Sequence, residues 1–280
     1  MQYWRGIHHQ CQRFLSTNNA GFFYKSRHFK SLTLVHCRKN ETPQLILNNP
    51  PIIFPLGDSA ATIQLGETIS EELNQKVLAT REWFGKNPFA GLQDVIVAYS
   101  SFTIVYDPFM IRKHHAVNGT VFEWIEKKLQ QAYAEAVIPK DSTRTITRIP
   151  VCYEEEFGID LNDVCNAASL SKEEIIELHL SKKYRVFMLG FLPGFAYMGR
   201  LEQRLILPRK ETPMAVTAGS VGIVLNQTGI YPLNSPGGWH IIGRTPLKMF
   251  DAKEPVPVKL TPGDEVQFYR ITREEFDKME

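Results

Sequence analysis

The sequence predicts an α+β protein in two parts: a small sandwich with helices on one face of an antiparallel sheet, then a β-barrel. Three observations predict it. Residues 51–136 read in the order β-β-α-β-β-α. Beyond about residue 180 helical spacing gives way to short apolar runs divided by Gly/Pro turns. Within that region the stretch GSVGIVLNQTGIYPLNSPGGWHIIGRTP, 219–246, mixes six glycines and three prolines with Val221, Ile223, Ile230, Trp239 and Ile241, which need burial. Barrel strands would supply the apolar residues and tight corners the glycines. The expected limits are a basic extension over 1–44, the sandwich over 45–138, a linker over 139–145 and the barrel over 146–280.

Each element has a local reason. PIIFPLGDSAATIQLG (51–66) reads as two strands around a turn at Pro55–Asp58. Ser70 stands where a helix N-cap belongs, with Glu71 and Glu72 in the first turn and Leu73, Val77 and Trp83/Phe84 as the apolar stripe; Gly85 should end that helix. DVIVAYS (94–100) and FTIVYDP (102–108) form a hairpin, and 117–136 returns to helical spacing. In the second part TRIPV (147–151) is a strand, Asp160 caps a short helix through Ala168, and SKEE (171–174) is a capping box for a helix to about Leu180. YRVFMLGF (184–191), LILP (205–208), VGIVL (221–225), HIIG (240–243), PVKL (257–260) and EVQFYRI (265–271) are the barrel strands, and TREE (272–275) caps a last helix.

Charge and composition narrow the function. The 280 residues are 43% hydrophobic and 22% charged, as in a globular protein. The net charge of +2 is uneven. Residues 1–50 carry seven Lys/Arg against one acid, so the remainder is mildly acidic and offers no basic footprint for nucleic acid. The extension resembles a transit peptide in composition, and the simpler reading is a disordered extension or translated sequence upstream of the true start. Four cysteines without a C-x-x-C make neither a disulfide framework nor a zinc ribbon, and fit a reducing cytoplasm. The apolar run VFMLGFLPGFAYMG, 186–199, is too short and too broken by glycine and proline to span a bilayer.

The chemistry on offer is neutral and hydrogen-bonding. No carboxylate occurs between Glu211 and Asp251, so a pocket built from this region alone has no acid pair and no acidic metal ligands. It has Ser220, Gln227, Thr228, Tyr231, Ser235, His240 and Thr245, one cation in Arg244, and backbone N–H groups near Gly219–Gly222 and Gly237–Gly238. That set suits recognition of a carboxylate, a phosphate or another protein's backbone. AGSVG (218–222) resembles a nucleophile elbow but lacks its first glycine and is followed by strand residues. Neither G-x-x-x-x-G-K-[ST] nor G-x-G-x-x-G occurs, so ATP is not expected to be held by this chain alone. The loop GFLPGFAYMG (190–199) is read as lining a groove or an interface, with Pro193, Phe195 and Tyr197 as contacts beside Trp239.

Taken together, GFLPGFAYMG, AGSVGI, QTGIYPLNSPGGW and IIGRTP, in that order and spacing, with PLGDSA at 55–60, resemble the allophanate hydrolase subunit 1 family, which includes KipI-like proteins and the B-type subunits of 5-oxoprolinase. The resemblance covers about residues 45–272. Leu225 and His240 depart from it, the first bulkier than the family's usual small residue and the second standing where other polar or basic residues are common. The resemblance implies an α+β first domain, a cyclophilin-like barrel without isomerase activity, and similarity to the carboxyltransferase part of urea carboxylase. It implies a subunit, inactive alone, that works with subunits A and C to open 5-oxo-L-proline to L-glutamate coupled to ATP hydrolysis. The alternative it implies is a binding module that inhibits a sensor histidine kinase.

In the enzyme reading Arg244 stabilises developing charge, helped by backbone N–H groups. Gln227, Thr228, Tyr231 and Ser235 orient substrate or a neighbouring subunit, in a surface shared with Ser220, Gly237, Gly238, Trp239, His240 and Thr245. In the binding-module reading Phe191, Phe195, Tyr197 and Trp239 form the docking groove. Neither reading needs a metal in this chain.

Overall fold

The computed structural model describes residues 50–139 and 146–280; the expected extension and nearly all of the expected linker lie outside the described residues. In the first part β1 (Ile52–Pro55) and β2 (Ala60–Gln64) pair antiparallel. α1 (Glu71–Lys86) starts where Ser70 accepts from the Leu73 N–H at 3.1 Å. It runs past Gly85 and is closed by Asn87, whose N–H and side chain both reach the Trp83 carbonyl. β3 (Leu92–Val97) and β4 (Ser101–Tyr106) complete a sheet ordered β1-β2-β4-β3. A short helix absent from the expected order, α2 (Pro108–His114), is nucleated by Asp107 with Pro108 in its first turn. α3 (Val121–Glu135) follows a Thr120/Glu123 capping box. Alternate sheet residues Ala61, Ile63, Phe102 and Ile104 meet Val77, Phe84, Ile125 and Leu129 of the helices in one apolar core.

The second part is a curled seven-stranded sheet. Its strands are β5 (Ile146–Val151), β6 (Lys183–Leu189), β7 (Ala196–Gly199), β9 (Ser220–Val224), β10 (Gln227–Ile230), β12 (His240–Arg244) and β13 (Glu265–Arg270). The order is β12-β9-β10-β7-β6-β13-β5, antiparallel except for the β13–β5 pair. The edges meet where Cys152 and Arg244 exchange backbone hydrogen bonds of 2.8 and 2.9 Å. Helices α4 (Leu161–Ala168) and α5 (Lys172–Leu180) precede β6, and α6 (Arg273–Met279) ends the chain. Ile175 and Ile176 of α5 join Val186, Met198, Val221, Ile223, Ile230 and Val266 in the second core. Strand β8 (Met214–Val216) pairs separately with β11 (Ser235–Gly237) as a two-stranded flap.

Three expectations are corrected. Segments 205–208 and 257–260 are not strands. The first holds the end of a 3-10 turn and an isolated bridge from Leu207 to Leu225, the second a single bridge from Val258 to Phe250. Residues 196–199, read as loop, are strand β7, paired on both sides. Asp160 begins α4 but gives it no side-chain cap. Its Oδ2 instead accepts from the Ile241 N–H at 2.7 Å and from Lys210 Nζ at 2.6 Å, pinning β12 to α4.

The two sheets are joined through Asn74 of α1, which is fully buried. Its Nδ2 donates to the Phe187 carbonyl at 3.0 Å and lies 3.3 Å from the Tyr99 carbonyl, while its Oδ1 accepts from Arg185 Nε at 3.2 Å. A carboxamide suits this place because it both donates and accepts without carrying charge. Tyr99 adds ring contacts to Phe187 and Tyr197, at centroid distances of 5.8 and 6.1 Å.

Candidate functional site

Alternation on the curled sheet separates two faces. Thr228, Ile230, Val221, Ile223, Ala196 and Met198 are buried on the inner side, five of them in the second core. The intervening residues Gln227, Gly229, Gly222, Tyr197 and Gly199 look the other way, and registers Gly229↔Tyr197, Gly229↔Gly222 and Gln227↔Gly199 put them side by side. This second face carries an aromatic cluster. Phe195 lies 4.8 Å from Tyr197, 5.0 Å from Tyr231 and 5.3 Å from Trp239, ring centre to ring centre.

The glycines exist largely for these rings. A Cβ at Gly229 would stand 2.9 Å from Trp239 Cζ3 and 3.0 Å from Phe195 Cζ, and one at Gly222 would stand 3.1 Å from Trp239 Cβ. A Cβ at Gly237 would strike the Tyr231 hydroxyl. Both Gly222 and Gly229 lie inside strands, so the expectation that the glycines only turn corners fails for them. Gly219, with φ of +85°, is a true turn glycine, pressed against the Thr245 carbonyl.

The structure brings some of the expected site residues together and separates others. Phe195, Tyr197, Tyr231 and Trp239 share the aromatic face, but all four are buried. The open groove expected from them is therefore closed, and only Phe191, 38% exposed, and Pro193 reach the surface. Burial pushes the Tyr231 phenol up to about 12, so it stays protonated. Thr228 faces the inner core. Ser220 and Thr245 are buried on either side of the Gly219 turn, where Thr245 N donates to the Gly219 carbonyl at 2.9 Å. No helix follows Ser220, which opens β9.

Arg244, expected as a charge stabiliser, is engaged by the fold. Its Nε donates to the Ala218 carbonyl at 2.9 Å, its Nη2 lies 3.4 Å from Glu280, and its guanidinium lies over Phe157 and Phe276. His240 Nε2 donates to the Pro208 carbonyl at 2.9 Å, and its Nδ1 points elsewhere. That Nδ1, Ser235 Oγ and Gln227 Oε1 are buried without a hydrogen-bond partner. A side chain at Gly238 would meet Arg209.

The sequence reading missed one buried polar chain. Thr228 Oγ1 donates to the Gly222 carbonyl at 3.1 Å and accepts from His179 Nε2 at 3.0 Å, and His179 Nδ1 then accepts from the Tyr153 hydroxyl at 2.8 Å. Every proton has one place to go, which fixes the tautomer. Desolvation lowers the His179 pKa to about 3 and raises that of Tyr153, so both are neutral. The signal was present: His179 follows Ile175 and Ile176 at helical spacing on a buried stripe. Among the described residues no group of three His, Cys, Asp or Glu is placed to hold a metal, and no helix is long and apolar enough to cross a membrane.

Comparison with known proteins gives these features a context. The family described as "Carboxyltransferase domain, subdomain C and D" matches residues 51–260. The B-type subunit of 5-oxoprolinase from Bacillus subtilis is 41% identical over 226 residues, covering 80% of this chain and 94% of the relative. Its counterpart of the same name from Haemophilus influenzae is 35% identical over 217 residues, covering 77% and 96%. The crystal structure of TTHA0988 superposes with a TM-score of 0.64 at 34% identity. The match covers 79% of this chain and only 40% of that longer one. The K. lactis urea amidolyase shares the fold, with a TM-score of 0.68 at 18% identity over 84% of this chain and 16% of that one.

Proposed function

Because this chain belongs to the family of carboxyltransferase domains, subdomain C and D, we propose that it is the B-type subunit of a multi-subunit 5-oxoprolinase. The complex opens 5-oxo-L-proline to L-glutamate at the expense of ATP. The observation that carries this reading is the near full-length match to relatives named as B-type 5-oxoprolinase subunits, 94% and 96% of their lengths. The residues support a subunit role over a self-contained enzyme. Asp160 is tied to Lys210 and Ile241, and Arg244 to Ala218, so neither is idle beside the aromatic face. ATP and the acid–base groups are assigned in this reading to partner subunits of types A and C, and the compartment to the cytoplasm.

The test is co-expression with candidate A and C subunits and an assay for ATP-dependent conversion of 5-oxo-L-proline to glutamate, omitting each chain in turn. Activity that requires all three is the expected result. Full activity without this chain, or none with all three folded, would reject the assignment.

A further inference from the structure

Gln227 is 3% exposed, and its Oε1 has no hydrogen-bond partner. A buried acceptor left bare weakens the fold and calls for a partner that the chain itself does not supply. On this face Gln227 lies in one row with Val224, Gly199 and Arg185, beside the aromatic residues. Gln227 pairs across the sheet with Gly199, and the space above Gly199 is taken by the Phe187 ring, whose Cε2 would lie 3.1 Å from a Cβ there. One pair along on the same face, Tyr197 stands opposite Gly229. The backbone just before it is strained as well, since Leu225 at the β9–β10 turn has φ of +48°.

We infer that the Gln227 carboxamide binds a cyclic amide, reading its N–H and C=O together. In a small lactam ring the N–H and C=O point to the same side. A primary carboxamide presents the complementary pair: Oε1 accepts from the lactam N–H and Nε2 donates to the lactam oxygen. The uncharged ring edge packs on the aromatic face. This rests on the 5-oxoprolinase reading and names the group that recognises the substrate's amide. Because Oε1 is sealed, a neighbouring ring turns aside to admit the ligand.

The experiment compares wild type and Gln227→Leu in the co-expressed complex, measuring KM and kcat for 5-oxo-L-proline and inhibition by 2-pyrrolidone, the lactam without its carboxylate. The melting temperature of each chain alone is measured alongside. The expected result is a KM raised roughly tenfold or more, kcat changed less, inhibition by 2-pyrrolidone lost, and a melting temperature held or raised, since the bare acceptor is gone. An active wild type with unchanged KM in the variant overturns the inference and leaves the oxoprolinase reading standing. A variant that melts lower shows a carboxamide serving the fold, and overturns it too. A wild-type complex without activity removes both. Should the leucine variant fail to fold, Gln227→Glu keeps the shape and replaces the donor; undiminished affinity in that variant also overturns the inference.

Discussion

Loss of the Asn74 side chain should weaken the protein, because its carboxamide bonds span the two sheets. Asn74→Ala removes the acceptor of Arg185 Nε and the donor to the Phe187 carbonyl, 3.2 and 3.0 Å away. The first bond has a charged donor and is worth roughly 1.5–3 kcal/mol; the second is neutral and worth roughly 0.5–1.5 kcal/mol. The approach to the Tyr99 carbonyl at 3.3 Å shares the same amide and adds little. Alanine returns roughly 0.5 kcal/mol as the better helix former in α1. The net loss is about 1.5–4 kcal/mol, or a melting temperature lower by roughly 3–16 °C for a chain of this size.

Urea unfolding of the single variants Asn74→Ala and Arg185→Leu, and of the double variant, measures it. If the carboxamide holds the guanidinium, the double variant loses less than the sum of the singles, by about 1 kcal/mol or more. A cost for Asn74→Ala below about 0.5 kcal/mol, or strict additivity, would refute the reasoning that this side chain joins the two sheets.

Gly229→Ala should cost roughly 1–3 kcal/mol by overpacking, because its Cβ would press on Trp239 and Phe195; the melting temperature checks it. Arg244→Ala should lower the stability of the chain alone by roughly 1–2 kcal/mol, through the lost bond to Ala218 and the lost stacking on Phe157 and Phe276. An unchanged melting temperature together with lost complex activity would return Arg244 to the chemistry. His179 binds its proton in the unfolded chain near the ordinary value of 6.5 but in the fold only near about 3, so the unfolded state takes up the proton first. Stability from this group is whole above about pH 6.5 and falls as pH drops toward 3, by roughly 1 kcal/mol between about pH 7.5 and about pH 5.5. Urea titrations at the two pH values, with His179→Gln flattening that part of the dependence, check the sign.

What the sequence shows and hides follows from the range of the forces involved. Caps are local, and Ser70, Thr120, Ser171 and Thr272 all start helices where a serine or threonine stands ahead of acidic residues. Strands with clean alternation, such as 102–106, are legible for the same reason. Strand β10 is not, because QTGI lacks the β-branched run that marks a strand; its stability comes from two flanking ladders. The Asp160 carboxylate illustrates the limit most clearly. Between Glu211 and Asp251 the chain has no acid, yet folding delivers Asp160 to the Ile241 N–H, across a separation that no window of sequence contains. Asn74 was half legible: a polar residue lies on the stripe of Leu73, Val77 and Phe84, and only its distant partners explain it.

The coexistence of glycines and core residues in 219–246 has the same origin. A sheet face with small residues at alternate positions accepts large rings close to its backbone, and Gly222 and Gly229 give Trp239 and Phe195 that access. Turn composition therefore builds a second buried layer outside the main core. Rings packed at 4.8–5.3 Å leave that layer without a lasting opening. Within it the Gln227 Oε1 is a buried acceptor without a partner. An apolar side chain at that position would need no partner. The inferred ligand would complete the carboxamide that the chain places there, next to a strained turn.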